Sequence, residues 1–414
     1  MTAGTAGKVL SRSPQRMKRN KMEYRKLGNT GLEVSVIALG CEAFVEDNSN
    51  AKSFLDMAEK AGVNYFDLFS PDPAARSALG EALKGRREKF IIQSHISSVW
   101  KNGQYERSRN LDDVKAAFED SLERLGTDYI DVGMIHYCDA ESDWQAIKDN
   151  GIVEYAKQLK AEGKIHHIGL SSHNPKVAIK AIEEGDIEVL MFSINPVYDM
   201  LPGTEVVDDL WADEVYEGGF VNMDPERQRL YELCESKGVG ITVMKAFAGG
   251  DLLTAEMSPA GAALTPVQCI SYCLSRPAVA TVCSGARNDE QLAESIAYCE
   301  ATEEERDYAE AFAKFPKVSW SGHCMYCTHC HPCPAEIDIA FVTKLLNLVI
   351  AHNESNGIKE GSEGFRVPDT ERMHYEVLKK HASDCLQCGM CETRCPFDVK
   401  IRENMKHAER VFGL

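Results

Sequence analysis

The sequence predicts an α/β chain, a (β/α)8 TIM barrel followed by a small, mainly helical, cysteine-rich domain. Two observations carry this. Eight short apolar runs alternate with amphipathic segments between Glu33 and Tyr298, which is the arithmetic of eight strand–helix units. Beyond them, eight of the fifteen cysteines crowd into two tight groups. A doubly wound open sheet is the runner-up, and it lacks the Gly-x-Gly-x-x-Gly expected after its first strand.

The elements follow in chain order. Residues 1–21 form a basic extension with Lys8, Arg12, Arg16, Lys18 and Arg19. It has no apolar centre for a secretory signal and reads as a transit peptide, an appended tail or an over-long start, apart from the fold. Residues 22–315 are assigned to the barrel. Its strands are expected at Val34–Leu39, Asn64–Phe66, Phe90–Ser94, Ile130–Ile135, Ile165–Leu170, Ile187–Phe192, Gly240–Met244 and Ala280–Cys283. Helices are expected at Ala51–Lys60, Leu111–Leu125, Ile152–Glu162, Pro175–Glu184, Pro225–Ser236 and Pro266–Ser275, several opening on Pro as a first helical residue. Ser97–Asn110 and the acidic Asp199–Met223 read as long loops over one face, the second as a lid or a solvated insertion. A helix at Thr302–Phe315 closes the barrel. Residues 316–414 hold the cysteine groups, with a helix at Ile337–His352 and a polar loop at Asn353–Gly364 between them.

The net charge of −18 argues against nucleic acid or an anionic membrane as partner, since both require a basic patch. No apolar run reaches the ~20 residues of a transmembrane helix.

The second cysteine group, Cys385-Leu-Gln-Cys388-Gly-Met-Cys391-Glu-Thr-Arg-Cys395-Pro396, is C-x2-C-x2-C-x3-C-P, the bacterial ferredoxin run. Three thiolates at this spacing wrap one corner of a [4Fe–4S] cubane, and the fourth, redirected by the proline, reaches the other cluster. The first group, Cys324-Met-Tyr-Cys327-Thr-His-Cys330-His-Pro-Cys333-Pro334, closes with x2 instead of x3. A zinc site tolerates that spacing, with His323, His329 and His331 nearby. A second cubane is favoured because two such motifs supply the eight thiolates two cubanes need. The exchange rule then gives cluster one Cys324, Cys327, Cys330 and Cys395, and cluster two Cys385, Cys388, Cys391 and Cys333. The C-terminal domain is therefore expected to be ferredoxin-like and to carry two 4Fe-4S clusters. Such clusters suit a reducing cytoplasm. The other seven cysteines, Cys41, Cys138, Cys234, Cys269, Cys273, Cys283 and Cys299, read as buried free thiols.

Met22-Glu-Tyr-Arg-Lys-Leu-Gly-Asn-Thr-Gly-Leu-Glu-Val-Ser35 with Ala38-Leu39-Gly40 resembles the opening of an aldo-keto reductase. Similar matches are Asn64-Tyr-Phe-Asp67, Leu125-Gly-Thr-Asp-Tyr-Ile-Asp131 leading to His136, Gly169-Leu-Ser-Ser172, Val243-Met-Lys245 and Ser284-Gly-Ala-Arg287 with Gln291-Leu-Ala-Glu294. The resemblance covers about 22–298 and, joined to the cysteine domain, points to the iron–sulfur branch of that family. It implies NADPH-dependent carbonyl reduction by an Asp, Tyr, Lys and His tetrad. Asp67 and His136 match the Asp and the His. Asp72 stands where the Tyr should, and His95 where the Lys should. Met191 replaces a carboxamide-binding Gln, and Met244 stands where many members place an aromatic ring. The residues that the resemblance assigns to cofactor binding are Ser171, Lys245, Gly249, Gly250, Ser284, Gly285, Arg287, Gln291 and Glu294.

Asp67, Asp72, His95 and His136 are thus expected to converge at the strand ends as the catalytic group. They read as altered acid–base chemistry, as a two-His, one-carboxylate metal triad, or as a decayed site whose polar groups bond one another. His173 can join them or cap a loop, and His166 and His167 read as structural. The leading functional reading is an iron–sulfur oxidoreductase that passes electrons to or from a small organic substrate. The alternatives are an electron-transfer subunit docking a partner enzyme, and an NADPH-dependent carbonyl reductase. A flavin would be needed to couple hydride to single electrons, and a ferredoxin-like carrier is the expected external partner.

Overall fold

The computed structural model describes residues 22–41, 48–211, 220–313, 315, 318–319 and 322–414. The basic extension at 1–21 lies outside them, as does part of the acidic loop, 212–219.

Eight parallel strands close into a barrel. They are β1 (Ile37–Gly40), β2 (Tyr65–Leu68), β3 (Ile91–His95), β4 (Ile130–Ile135), β5 (Ile165–Ser172), β6 (Val189–Ser193), β7 (Gly240–Met244) and β8 (Val279–Ser284). Each pairs with its sequence neighbours, and β8 returns to β1 through Val282 opposite Ile37. No edge is left, so the open-sheet alternative is overturned. All eight expected strands are present. The expected Val34–Leu39 strand is two: Glu33–Ser35 pairs with Tyr24–Lys26 as an antiparallel hairpin, and β1 begins after Val36. The hairpin plugs the N-terminal end of the barrel. Asn29 N–H donates to the Gly238 carbonyl at 2.7 Å. Gly28 has φ +53°, and a Cβ there would stand 2.3 Å from the Gly238 oxygen, so only glycine permits the approach.

The barrel interior is filled by Ala38, Tyr65, Val132, Met134, Val189, Met191, Ala280 and Cys283. Gln93 sits among them, accepting from Tyr65 (2.8 Å) and Thr242 (3.1 Å) on its carbonyl oxygen. A larger apolar layer lies between the strands and the helices outside them.

The expected barrel helices are present within two residues at their ends. Three more, Pro73–Leu83, Glu141–Asp149 and Asp289–Ile296, complete the ring. The expected Thr302–Phe315 helix is two short ones, Glu303–Arg306 and Ala309–Ala313, broken at Asp307 with φ −69°, ψ 97°. Ser97–Asn110 is no irregular loop: Ser98–Lys101 and Gln104–Arg107 pair as a hairpin.

Among the described residues beyond Ser319 only helices and turns occur. Ile339–Ser355 extends three residues past its expected end and packs against Pro225–Lys237 of the barrel and Ile401–Phe412. Asp369–Glu376 and Ile401–Phe412 were not expected. No helix is long and apolar enough to cross a membrane among the described residues.

Candidate active site and cysteine loops

The C-terminal strand ends open into a cavity of about 580 Å³. Asp67 from β2, His95 ending β3 and His136 just past β4 line its buried end. His95 Nε2 stands 3.1 Å from Asp67 Oδ1, and its Nδ1 faces His136 Nδ1 at 2.6 Å. Gln93 Nε2 donates to the same Asp67 oxygen at 2.6 Å and to Met191 Sδ at 3.3 Å. With the two imidazoles bonded to each other, they are not splayed around an ion. Among the described residues, no three His, Cys, Asp or Glu groups are placed to hold a single metal ion.

Asp72 is corrected by the structure. Its carboxylate accepts from Ala75 N–H at 2.8 Å and caps Pro73–Leu83, with Pro73 as the first helical residue. Asp72 is not among the residues lining the cavity. Capping prevails because orphan N–H groups at a helix start recruit the nearest short carboxylate.

The residue the sequence did not disclose is Tyr105. It projects from the Ser98–Arg107 hairpin into the cavity, and its hydroxyl stands 2.7 Å from His136 Nε2. The hairpin base is pinned by Ser97, whose Oγ accepts from His136 N–H at 2.8 Å. Arg109 donates to the His136 carbonyl at 2.9 Å and pairs with Asp143 at 2.7 Å. Phe69 packs beside both rings. The legible signals were Asn102-Gly103, which marks the hairpin, and a tyrosine beside it in an insertion at the correct face.

Three short contacts link Tyr105, His136, His95 and Asp67, and their sense follows the placement of the imidazole protons. With Asp67 as a carboxylate it can only accept, so His95 Nε2 donates. Burial first, then the neighbouring His95 and Arg109, hold His136 well below the usual imidazole range, so it is neutral. A neutral His136 has one donor and one acceptor nitrogen, so where its Nδ1 donates to His95, its Nε2 accepts from the Tyr105 O–H. Burial pushes the Tyr105 phenol up to about 12.

All nine residues of the expected cofactor end, Ser171, Lys245, Gly249, Gly250, Ser284, Gly285, Arg287, Gln291 and Glu294, line this same cavity. Ser171 Oγ is buried there with no protein partner. Gly249 and Gly250 have φ +75° and +112°, with open space where side chains would stand. A buried hydroxyl in want of a partner and bare backbone at a strand end fit a polar, phosphate-bearing ligand. His173 also lines the cavity, held by Asp139 at 2.9 Å.

The sequence pattern of the aldo/keto reductase family matches residues 37–264. The chain belongs to the aldo/keto reductase family. Uncharacterized oxidoreductase YqkF of Bacillus subtilis is 29% identical over 301 residues, covering 69% of this chain and 94% of its own length. An Escherichia coli L-glyceraldehyde 3-phosphate reductase is 24% identical over 310 residues, covering 67% and 87%. The holo form of an aldo-keto reductase from Bacillus halodurans superposes with a TM-score of 0.56 at 25% identity, covering 70% of this chain and 96% of that one. The cysteine loops lie beyond the segment matched by the family pattern.

Those loops share a backbone. Tyr326 and Gln387, each two residues past the first cysteine of its group, have φ +55° and +54°. Thr328 and Gly389, two residues further on, have +67° and +78°. Glu336 and Asp398, three past the fourth cysteine, have +59° and +51°. Each loop then starts a helix, at Ile339 or Ile401, six residues after that cysteine. Left-handed residues at such intervals turn successive N–H groups into anion-binding concavities. Cys333, Cys385, Cys388 and Cys391 line one small recess. Burial pushes Cys324 up to about 12 and Cys327 to about 11, and Cys395 is near enough to raise both further. None of the eight thiols is in a disulfide. Two sets of four, with each fourth cysteine exchanged, suit two cubanes, whose corner ligands stand further apart than the ligands of a single ion.

Proposed function

We propose that this aldo/keto reductase interconverts a small alcohol and its carbonyl compound in the barrel cavity. Ser171, Lys245, Gly249, Gly250, Ser284, Gly285, Arg287, Gln291 and Glu294 would hold a nicotinamide dinucleotide, and the two exchanged cysteine sets would hold two [4Fe–4S] clusters. When bound, the nicotinamide supplies hydride chemistry and the clusters supply one-electron transfer. The observation that carries the reading is the hydrogen-bonded chain from Tyr105 through His136 and His95 to Asp67, ending in the same cavity that the nine cofactor-end residues line.

The chain explains how the site works without the family's Tyr and Lys at their usual positions. Tyr105 O–H already points inward to His136, so its oxygen is free to accept a proton from a substrate hydroxyl. As that proton arrives, the phenol proton passes to His136 Nε2, the His136 Nδ1 proton to His95 and the His95 Nε2 proton to Asp67. The alcohol loses one proton, Asp67 gains one, and no phenolate forms. That matters because a phenol at about 12 ionises poorly at neutral pH. Running backwards, a protonated Asp67 resets the chain and Tyr105 donates to a carbonyl oxygen. Asp67, His95 and His136 are buried at the inner end of the relay, and Tyr105 stands 38% exposed at its outer end.

Tyr105→Phe should reduce turnover of carbonyl substrates by about 10²–10⁴-fold while leaving dinucleotide binding and iron content unchanged. Turnover within a few-fold of wild type, measured with a panel of small aldehydes and alcohols, would remove Tyr105 from the mechanism.

A further inference from the structure

Three imidazoles line the cavity, and they are not used alike. His95 and His136 each have both ring nitrogens engaged, His95 by Asp67 and His136, and His136 by His95 and Tyr105. His173, just past β5, has only one engaged. Its Nδ1 stands 2.9 Å from Asp139 Oδ2. Among the described residues nothing bonds its Nε2, so this is the imidazole nitrogen left for a ligand.

The ring is built into place. Asp139 is 2% exposed and His173 7%. The other Asp139 oxygen accepts from the His173 N–H at 2.6 Å and from Ser172 Oγ at 3.0 Å. The Asp139 carbonyl accepts from Asn174 Nδ2 at 2.8 Å, and the Asn174 side-chain oxygen caps the helix Pro175–Glu184. Burial alone would raise the Asp139 carboxyl, but the bonds from His173 and Ser172 hold it below its usual range, so it is a carboxylate. A carboxylate only accepts. In the neutral ring Nδ1 therefore carries the proton, and Nε2 presents a lone pair.

That lone pair lies on the relay side of the cavity. Tyr137 packs edge-on against both rings, 5.3 Å from His136 and 5.4 Å from His173. A ligand whose reacting oxygen meets Tyr105 thus finds a second acceptor across Tyr137. A lone pair selects a donor, and a carboxylate has no proton to give. The arginines near Tyr137 are already engaged: Arg107 lies over its ring, 3.5 Å from Asp143, and Arg109 pairs with the same Asp143 at 2.7 Å. Their charge disfavours an ammonium group as the donor. A hydroxyl fits.

We propose that His173, oriented by Asp139, selects substrates that carry a second hydroxyl, with Nε2 accepting that O–H while Tyr105 meets the reacting oxygen. The substrate class is a polyol and the hydroxycarbonyl compound derived from it, in preference to a simple alcohol and its aldehyde. The proposal rests on the reading of the cavity as a site of alcohol–carbonyl interconversion. No bond is made or broken at the second hydroxyl, so His173 sets specificity and takes no part in the proton relay.

The test uses the whole protein with NAD+ or NADP+ and stable probes: 1-butanol, its 1,2-, 1,3- and 1,4-diols, and the preferred diol with its non-reacting oxygen methylated. Turnover of none of them by wild type overturns the reading of the cavity and this inference with it. With turnover, kcat and KM are measured for each probe in wild type, His173→Phe, His173→Gln and Asp139→Asn. One diol should exceed butanol in kcat/KM by about ten-fold or more. The ether, which accepts but cannot donate, should behave like butanol. His173→Phe should bring the diol-to-butanol ratio close to one, and His173→Gln, which keeps an amide acceptor, should restore part of it. In Asp139→Asn the His173 N–H holds the amide oxygen, so the amide N–H faces Nδ1 and the ring proton moves to Nε2. Ether and diol should then be handled alike. Equal handling of butanol and all three diols by wild type would overturn the assignment, as would an ether as good as its diol. So would a His173→Phe loss that is the same for every probe or that appears as weaker dinucleotide binding. Each of these leaves the alcohol–carbonyl reading intact.

Discussion

At the scale of single residues, the site is a contest over which groups reach the cavity. Asp67, His95 and His136 were legible because each ends a strand, and strand ends of a barrel point to one mouth. Asp72 was misread because its sequence distance from Asp67 suggested a role, while the local demand of a helix start decided its contacts. Tyr105 was hidden because spacing along the chain carries no information about a hairpin that folds back across the mouth. Another single residue governs stability. Asp199 is fully buried, accepts from the Tyr231 and Tyr272 hydroxyls, and lies 3.8 Å from the fully buried Arg227. Burial pushes its carboxyl above the usual value despite Arg227 and the two phenols. Asp199→Asn leaves Arg227 without a countercharge and should cost about 3 kcal/mol, read as a lower urea midpoint with unchanged slope.

At the scale of elements, periodicity found every barrel strand and located helices such as Leu111–Leu125 to the residue. It failed where tertiary contacts decide. Ser98–Arg107 turns at Asn102-Gly103, whose φ of +53° and +77° make a tight two-residue hairpin turn, a local signal that strand periodicity passes over. Thr302–Phe315 looks continuous until Asp307 leaves helical geometry, where its carbonyl and carboxylate are drawn to Gln268 and His329. Pro225–Lys237 is the element that joins barrel and C-terminal unit. It carries Lys344's partner Glu235, His323's partner Gln228 and the buried Glu232. Burial pushes Glu232 up to about 8, with Gln228 opposing and Glu354 adding to the rise. The unfolded chain would titrate this group near ~4.3. The native state therefore binds the extra proton across that window, and wild-type stability falls as pH rises from about 4 to about 8. Glu232→Gln should flatten this dependence, so that thermal melting at pH 8 is higher than wild type relative to the values at pH 4.

At the scale of the whole molecule, the question is how two sites on one chain communicate. The helix Pro266–Leu274 begins at the cavity rim with Pro266. Just beyond its end, Arg276 holds the Met325 carbonyl of the first cysteine loop. Nine helical residues span roughly 14 Å, and Tyr272 and Tyr308 pack at 5.3 Å along the same layer. If nicotinamide and clusters work in series, with a flavin dividing the hydride into single electrons, NADPH added anaerobically should bleach the visible iron–sulfur band. A band that dithionite bleaches but NADPH does not would mean that electrons enter from a carrier instead. The eight-strand barrel was plain in the sequence, because strand count is a local pattern. That the first loop is seated on the barrel and the second faces outward was not, since both motifs read alike.

The left-handed residues of the two loops carry one more consequence. In the second loop the position two past the middle of its first pair is Gly389, for which φ +78° is no burden. In the first loop the same position is Thr328 at +67°, beside Tyr326 at +55°, and a non-glycine in that region costs about 1–2 kcal/mol. The other left-handed positions are non-glycine in both loops, Gln387 at +54° matching Tyr326, so the loops differ in this respect at one residue. The first is held in shape by Arg276, Tyr308 and Asp307, all supplied by the barrel side. The inner loop therefore draws on the folded barrel for its shape at a position where the outer loop relies on glycine.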